Sequence, residues 1–331
     1  MLLFDLEQRS PEWLQWRKIC SRDEVIPALE QTFQSKPTAI VEKILTVLKK
    51  GVDWPNNQLP VITATDWPAI DGTSKWDTAY SLFRKKVGLD KPQKQNVAMS
   101  HGTRTEDEAR LAYESESGVV VTPVCAQSDD YPFIRASLDG LSFCGSILAE
   151  IKCPYTPNPE NTPASHQQAL SGHIPANYIP QVVGQQFCVP EAEMTHYWSY
   201  FNRGGVMLPF QRNNLYQDVL LDAVLEFYWG LLTKTPPVSE EWLVATTALS
   251  RIKNAINALE VVEKHHREQV MALFKVSKKA KLEGEGLVVS RYPKKGTVDK
   301  DNLYRSFGIS PEQVEIFRGP PSEEFKITPT R

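Results

Sequence analysis

Asp139, Glu150 and Lys152 are the residues whose types and spacing could do chemistry together. The stretch Ile147 to Lys152 reads as a strand, and alternation puts Glu150 and Lys152 on one face. A turn through Gly145 can bring Asp139 beside them. Two carboxylates and an ammonium are costly to bury together unless a cation and a phosphate complete the site. All-oxygen ligands favour Mg2+, with Mn2+ able to substitute, over a softer metal. The expected chemistry is phosphodiester hydrolysis. Asp139 and Glu150 would bind one or two ions, with the Ile151 backbone carbonyl as an added ligand, and the metal would polarise the phosphate and acidify the attacking water. Lys152 would orient or help deprotonate that water, or stabilise the phosphoryl transition state; the spacing leaves these roles open.

The surrounding pattern supplies the elements that must hold these residues. Ser10-Pro11-Glu12 has the form of a helix start, with Trp13, Trp16 and Arg17 on neighbouring positions. Residues 25–50 read as helical, with Val25, Leu29, Ile40, Ile44 and Leu48 buried and Pro27 and Pro37 dividing the segment. The Pro-, Asn- and Asp-rich stretch 51–72 reads as a connection, followed by a helix over 76–87. Another helix begins after Gly102 and carries Glu106, Ala109, Arg110 and Tyr113 on one face. Strands are expected at 119–122, 133–137, 139–141 and 147–152, then a polar insert at 156–173. A helix over 175–188 holds Gln181 and Gln185 one turn apart, ahead of a hairpin over 194–210 and a helix over 215–232. Pro236 and Pro237 mark a boundary between a body, 1–232, and a C-terminal appendage, 240–331. The appendage reads as helical to about 273, then basic, with eight Lys or Arg against three acidic residues over 275–300. No heptad array or internal repeat stands out.

The chain has 331 residues, a formal charge of -3 and 41% hydrophobic residues, which predicts a folded protein and excludes a wholly basic nucleic-acid binder. Five scattered cysteines without a C-x2-C pair fit free thiols in a reducing compartment. Without a basic, apolar leader or a long apolar run, no membrane association is expected and a cytoplasmic location is.

Alone, D-x10-E-x-K is a weak pattern. Here it stands as Ser137-Leu138-Asp139-Gly140 and Glu150-Ile151-Lys152-Cys153-Pro154, preceded by Gly102-x3-Glu106-x2-Ala109-Arg110-x2-Tyr113-Glu114. This ordered set resembles the phage lambda exonuclease and YqaJ-like viral recombinase nucleases, within the PD-(D/E)xK restriction-endonuclease-like class. The resemblance implies an α/β (α+β) fold: a restriction-endonuclease-like core with a central mixed β-sheet flanked by helices, to which the helical and basic appendage is added. It makes Asp139 and Glu150 metal ligands, Lys152 catalytic, Glu106 an acidic residue reaching a second metal, and Gln181 the motif glutamine facing the cleft. It assigns Arg17 and Ser137 to a terminal 5'-phosphate, a role that suits a guanidinium fork beside a hydroxyl.

The implied activity is 5'-to-3' exonuclease digestion of double-stranded DNA with a free end, leaving 3' single-stranded tails for recombination. The implied assembly is a homo-oligomer, a trimeric ring in lambda-like enzymes, with a single-strand annealing protein as partner and a phage or prophage as source. Endonuclease or structure-specific cleavage in repair or defence, and a catalytically inactive DNA-binding component, are the alternatives. The sequence departs from the family at Lys18-Ile19-Cys20-Ser21-Arg22, at Gln185 where a tyrosine is usual, and at Asn158 where another phosphate-binding arginine stands.

Overall fold

The computed structural model describes residues 2–90, 96–158, 160–238, 240–284, 287–291, 299–310 and 313. The chain divides into two compact units, Met1–Val238 and Ser239–Arg331. The first unit begins with β1 (Leu2–Phe4), α1 (Pro11–Trp16), β2 (Ile19–Ser21), α2 (Arg22–Ser35) and α3 (Ala39–Lys50). It continues through β3 (Gln58–Pro60), β4 (Ile62–Thr63), α4 (Trp67–Asp71), α5 (Ala79–Lys86) and α6 (Val97–Ser117). Then come β5 (Val121–Gln127), β6 (Ile134–Ser142), β7 (Ile147–Lys152), α7 (Ala164–Leu170), α8 (Ile179–Cys188), β8 (Met194–Phe201), β9 (Gly204–Gln211) and α9 (Asn214–Thr233).

A seven-stranded mixed sheet follows the path β1-β5-β6-β7-β8-β9, with β4 joined to β6. The β4–β6 and β7–β8 pairs are parallel and the others antiparallel. Helices α2, α3, α4, α8 and α9 share a core with it, and Val25, Leu29, Ile40, Ile44 and Leu48 all lie inside. Pro37 separates α2 from α3, whereas Pro27 sits within α2 without ending it.

Several expectations change, and the helix expected after Gly102 begins earlier, at Val97, with Gly102 inside it. Residues 51–72 are not a plain connection: β3 pairs with β2, β4 pairs with β6, and α4 buries Trp67 completely. The polar composition of this stretch masks short elements stabilised by tertiary partners rather than by their own periodicity. The two short strands expected at 133–141 are one strand, β6, because both neighbours hydrogen-bond along it. Gly140 permits this: a Cβ there would lie 2.4 Å from a Val121 methyl, so only glycine lets β5 cross this close.

The insert 156–173 contains α7, anchored where His166 Nδ1 meets Ser199 Oγ at 2.8 Å in a buried contact. Burial lowers the His166 pKa from its ordinary value of 6.5. The unfolded chain therefore binds a proton at a higher pH than the folded one, so this contact contributes fully above about 6.5 and weakens as pH falls below it. Urea midpoints of wild type and His166→Asn should differ at pH well above 6.5 and converge in mild acid. A constant difference would refute the assignment.

The second unit contains α10 (Glu240–Ser277), the hairpin of β10 (Lys281–Gly284) and β11 (Leu287–Ser290), and α11 (Lys300–Ser306). Phe274 is buried, and the Arg291 guanidinium lies 5.7 Å from its ring centre. Of the basic stretch 275–300, residues 285, 286 and 292–298 lie outside the described residues. Among the described residues no helix is long and apolar enough to cross a membrane.

Candidate active site

The site forms where β6 and β7 part. Their ladder pairs Leu141 with Leu148 and Gly140 with Ala149 and goes no further. Beyond it, Asp139 Oδ2 accepts from the Ile151 backbone N–H at 2.8 Å, so a side chain fills the place of a strand partner. In a strand a residue's N–H and C=O point to the same edge, which directs the Ile151 carbonyl into the same gap. β8 supports β7 from the far side, with Glu150 paired to Tyr197 and Lys152 to Ser199.

Glu150 has no exposed surface, yet its carboxylate is fully engaged. Its Oε1 accepts from Lys152 Nζ and, at 2.6 Å, from Gln181 Nε2; its Oε2 accepts from Gln185 Nε2 at 2.5 Å. Gln181 and Gln185 are one turn apart on α8, and that spacing brings one amide to each oxygen. Gln185, where the resembled family usually has a tyrosine, thus supplies a second amide donor. Asn158, by contrast, turns its own loop: its side-chain oxygen accepts from Glu160 N at 3.1 Å.

Burial opposes the charge on Lys152, but Glu150 and Asp139 outweigh it and raise its pKa; the ammonium also sits 5.0 Å from the Tyr178 ring centre. Asp139 is pushed well above the ordinary carboxylate range, first by burial and then by repulsion from Glu150, with Glu106 adding to it. Glu106 comes from α6, whose Ala109 and Tyr113 are fully buried and fix the helix against the sheet. Its own carboxylate pairs with Arg9 at 2.7 Å.

Among the described residues no three Asp, Glu, His or Cys side chains surround one point. Two carboxylates with a backbone carbonyl nearby are nevertheless a donor set that fits Mg2+ or Mn2+, which keep several waters and take one or two protein carboxylates. Asp139, Glu150 and the Ile151 carbonyl would hold the ion, with Glu106 to one side.

A second cluster lies on the same face of β6, two residues from Asp139. Ser137 Oγ accepts from Arg17 at 2.9 Å and from Trp13 Nε1 at 2.9 Å. Arg17 also donates to Thr65 Oγ1 at 2.9 Å and to Thr63 Oγ1 at 3.4 Å, and its guanidinium lies 4.6 Å from the Trp13 ring centre. Burial lowers the Arg17 pKa, Asp66 and Asp139 opposing it only in part. Asp66 is committed elsewhere, to Lys86 at 2.7 Å and to Thr63. Among the described residues Arg17 makes no ion pair.

Arg135 keeps this loop in place. It is buried, donates to the carbonyls of Trp16 and Ile19 on either side of Arg17, and packs 5.0 Å from the Trp16 ring centre. Ser21 is not in the cluster; its side chain caps α2 by accepting from Asp23 N at 3.2 Å. Trp13, Thr63, Thr65 and Arg135 were not among the candidate site residues from sequence. Only Trp13 left a signal, one helical turn before Arg17. Tyr197, Trp198 and Tyr200 on β8 are buried in the strand core.

Residues 53–192 match the YqaJ-like viral recombinase domain. The match takes in Glu106, Ser137, Asp139, Glu150, Lys152 and Gln181 and leaves Arg17 on its N-terminal side. An alkaline exonuclease from Laribacter hongkongensis aligns with 23% identity and a TM-score of 0.45, over 57% of this chain and 93% of that one. The same enzyme in complex with dAMP aligns with 22% identity and a TM-score of 0.46, over the same shares. A phage-related exonuclease from Haemophilus somnus 129PT aligns with 15% identity and a TM-score of 0.39, over 53% and 92%. No curated protein matches the chain. The YqaJ-like segment therefore includes β6, β7 and α8, the elements that carry the acid, lysine and glutamine side chains.

Proposed function

We propose that this chain is a Mg2+-dependent deoxyribonuclease that digests linear duplex DNA from a 5' end and leaves 3' single-stranded tails for recombination. The observation that carries the reading is the meeting of Asp139, Glu150 and Lys152 in the gap between β6 and β7, with Gln181 fixing Glu150 from α8. A bound divalent ion would supply Lewis acidity toward the scissile phosphate and lower the pKa of the attacking water. The protein's own part is placement. Ile151 N–H and the two glutamine amides orient the carboxylates, and Lys152 sets a cation where negative charge grows during phosphoryl transfer.

The Arg17 cluster supports end selection. It offers a guanidinium, an indole N–H and hydroxyls, with no carboxylate among the described residues to neutralise it, which suits a terminal phosphate. Ser137 and Asp139 are about 7 Å apart along one strand face, close to one nucleotide step of a DNA backbone. A phosphate held at Arg17 would thus set the next phosphodiester near the carboxylates. The match to a YqaJ-like viral recombinase domain suits a role in recombination, and the proposed setting is the cytoplasm of a bacterium carrying the phage or prophage.

The test compares Mg2+-dependent digestion of 5'-phosphorylated linear, 5'-hydroxyl linear and covalently closed duplex DNA. The phosphorylated linear form should be degraded fastest and the closed circle left intact. Equal cleavage of all three would defeat end dependence, and no cleavage with any divalent ion would favour a binding component. Arg17→Ala should lower kcat/KM on phosphorylated ends by about 10–100-fold, the worth of charge-assisted hydrogen bonds, and change it little on hydroxyl ends. An equal loss on both ends would make Arg17 structural.

A further inference from the structure

The second unit carries a feature that the hydrolytic site does not use. α10 runs through 38 residues, about 57 Å at the α-helical rise. Leu249, Ile252, Ile256, Leu259, Val270 and Leu273 recur along it at alternating steps of three and four. All six are exposed, from 37% at Leu249 to 73% at Leu273. That spacing is the a/d seam of a coiled coil. Glu263 and His266 continue the same spacing as one polar layer between Leu259 and Val270. The layer splits the apolar run, and Val244, Val261 and Met271 lie off the seam, so the period is hidden in the sequence. The finding corrects the expectation of no heptad array.

We propose that α10 pairs with α10 of a second copy of this chain, antiparallel, about a twofold axis passing between positions 264 and 265. The occupant and its direction follow from charge. A parallel pair would set Glu263 beside Glu263 and His266 beside His266. Antiparallel, Glu263 of each copy faces His266 of the other, Leu259 faces Val270, and Ile256 faces Leu273, while Ile252 meets Ser277 at the end of the partner helix and Leu249 lies beyond it. Shifting the register by one heptad would set Glu263 against Leu259 or Leu273, a charge against an apolar side chain.

The flanking positions agree. Glu260 of each copy meets Arg267 of the other, twice by symmetry, which is how charges beside a seam choose partner and orientation. Arg267 already leans toward the seam, held by Glu263 at 2.5 Å. One polar layer within an apolar seam also sets the register at some expense of stability. The pairing rests on the second unit and is independent of the hydrolytic reading.

Sedimentation equilibrium of the full chain at micromolar concentration tests this. Ile256→Glu with Leu259→Glu should halve the wild-type mass, itself an even multiple of the 37.4 kDa chain, and because both residues are exposed the helix should persist by circular dichroism. Glu260→Arg and Arg267→Glu should each raise the dissociation constant roughly tenfold, since each turns two attractive contacts into repulsive ones. Mixing these two charge variants should restore the pair, because each then offers what the other lacks. A monomeric wild type, a mass that the seam substitutions leave unchanged, or a mixture that stays dissociated would each overturn the proposal.

Discussion

Asp139→Asn is expected to lower the rate of duplex digestion by at least about 1,000-fold, the scale of removing a group that stabilises transition-state charge directly. DNA binding should survive. The substitution keeps an oxygen that can accept from the Ile151 N–H, so the gap between β6 and β7 keeps its shape. It removes one of two like charges that repel in the gap, and the metal-free protein should melt no lower than wild type. Single-turnover digestion, a filter-binding affinity and a melting curve separate these effects. Loss of binding together with activity would mean that Asp139 is structural.

Glu150→Leu should act on stability as strongly as on activity. Glu150 has no exposed surface and accepts from Lys152, Gln181 and Gln185. Leucine removes the acceptor and leaves an ammonium and two amides without it; breaking one side of a buried ion pair costs about 3–5 kcal/mol. Lys152 is 22% exposed and can turn partly toward water, which favours the lower end of that range. For a domain of this size the loss is a fall of roughly 10 °C in melting temperature. Digestion should fall to background at temperatures where circular dichroism still reports a folded chain. A variant that melts with wild type would show that the three donors have other partners.

The two substitutions differ because the carboxylates are held differently. Asp139 is held through one backbone N–H, so its charge can be removed with little disturbance. Glu150 is the acceptor on which β7 and α8 converge, and its removal disturbs both. Gln185 belongs to this second arrangement. Its type and position alone carried no interpretable signal, since its value depends on α8 lying over β7.

The shared face of Glu150 and Lys152 was legible because strand alternation is a local rule: residues 150 and 152 must share a face once 147–152 is a strand. That Gln181 and Gln185 share a helix face was legible in the same way, through the helical turn; what Gln185 holds was not. The surroundings of Arg17 were not. Thr63 and Thr65 lie in a stretch whose composition reads as a connection, and β4 exists only because β6 offers it a parallel partner. Arg135 reads as one more strand residue, although it donates to two carbonyls more than a hundred positions away.

By itself, then, the sequence determined which side chains share a strand or helix face and so which chemistry they could do together, because side-chain type and backbone period are local properties. Only the tertiary structure decided what holds them. It decided that β6 and β7 part after Gly140 and Ala149, that both glutamines close on Glu150, and that Ser137 gathers Trp13 and Arg17 beside Asp139. These are contacts between segments distant along the chain, and no local periodicity encodes which distant partner will fill a buried hydrogen bond.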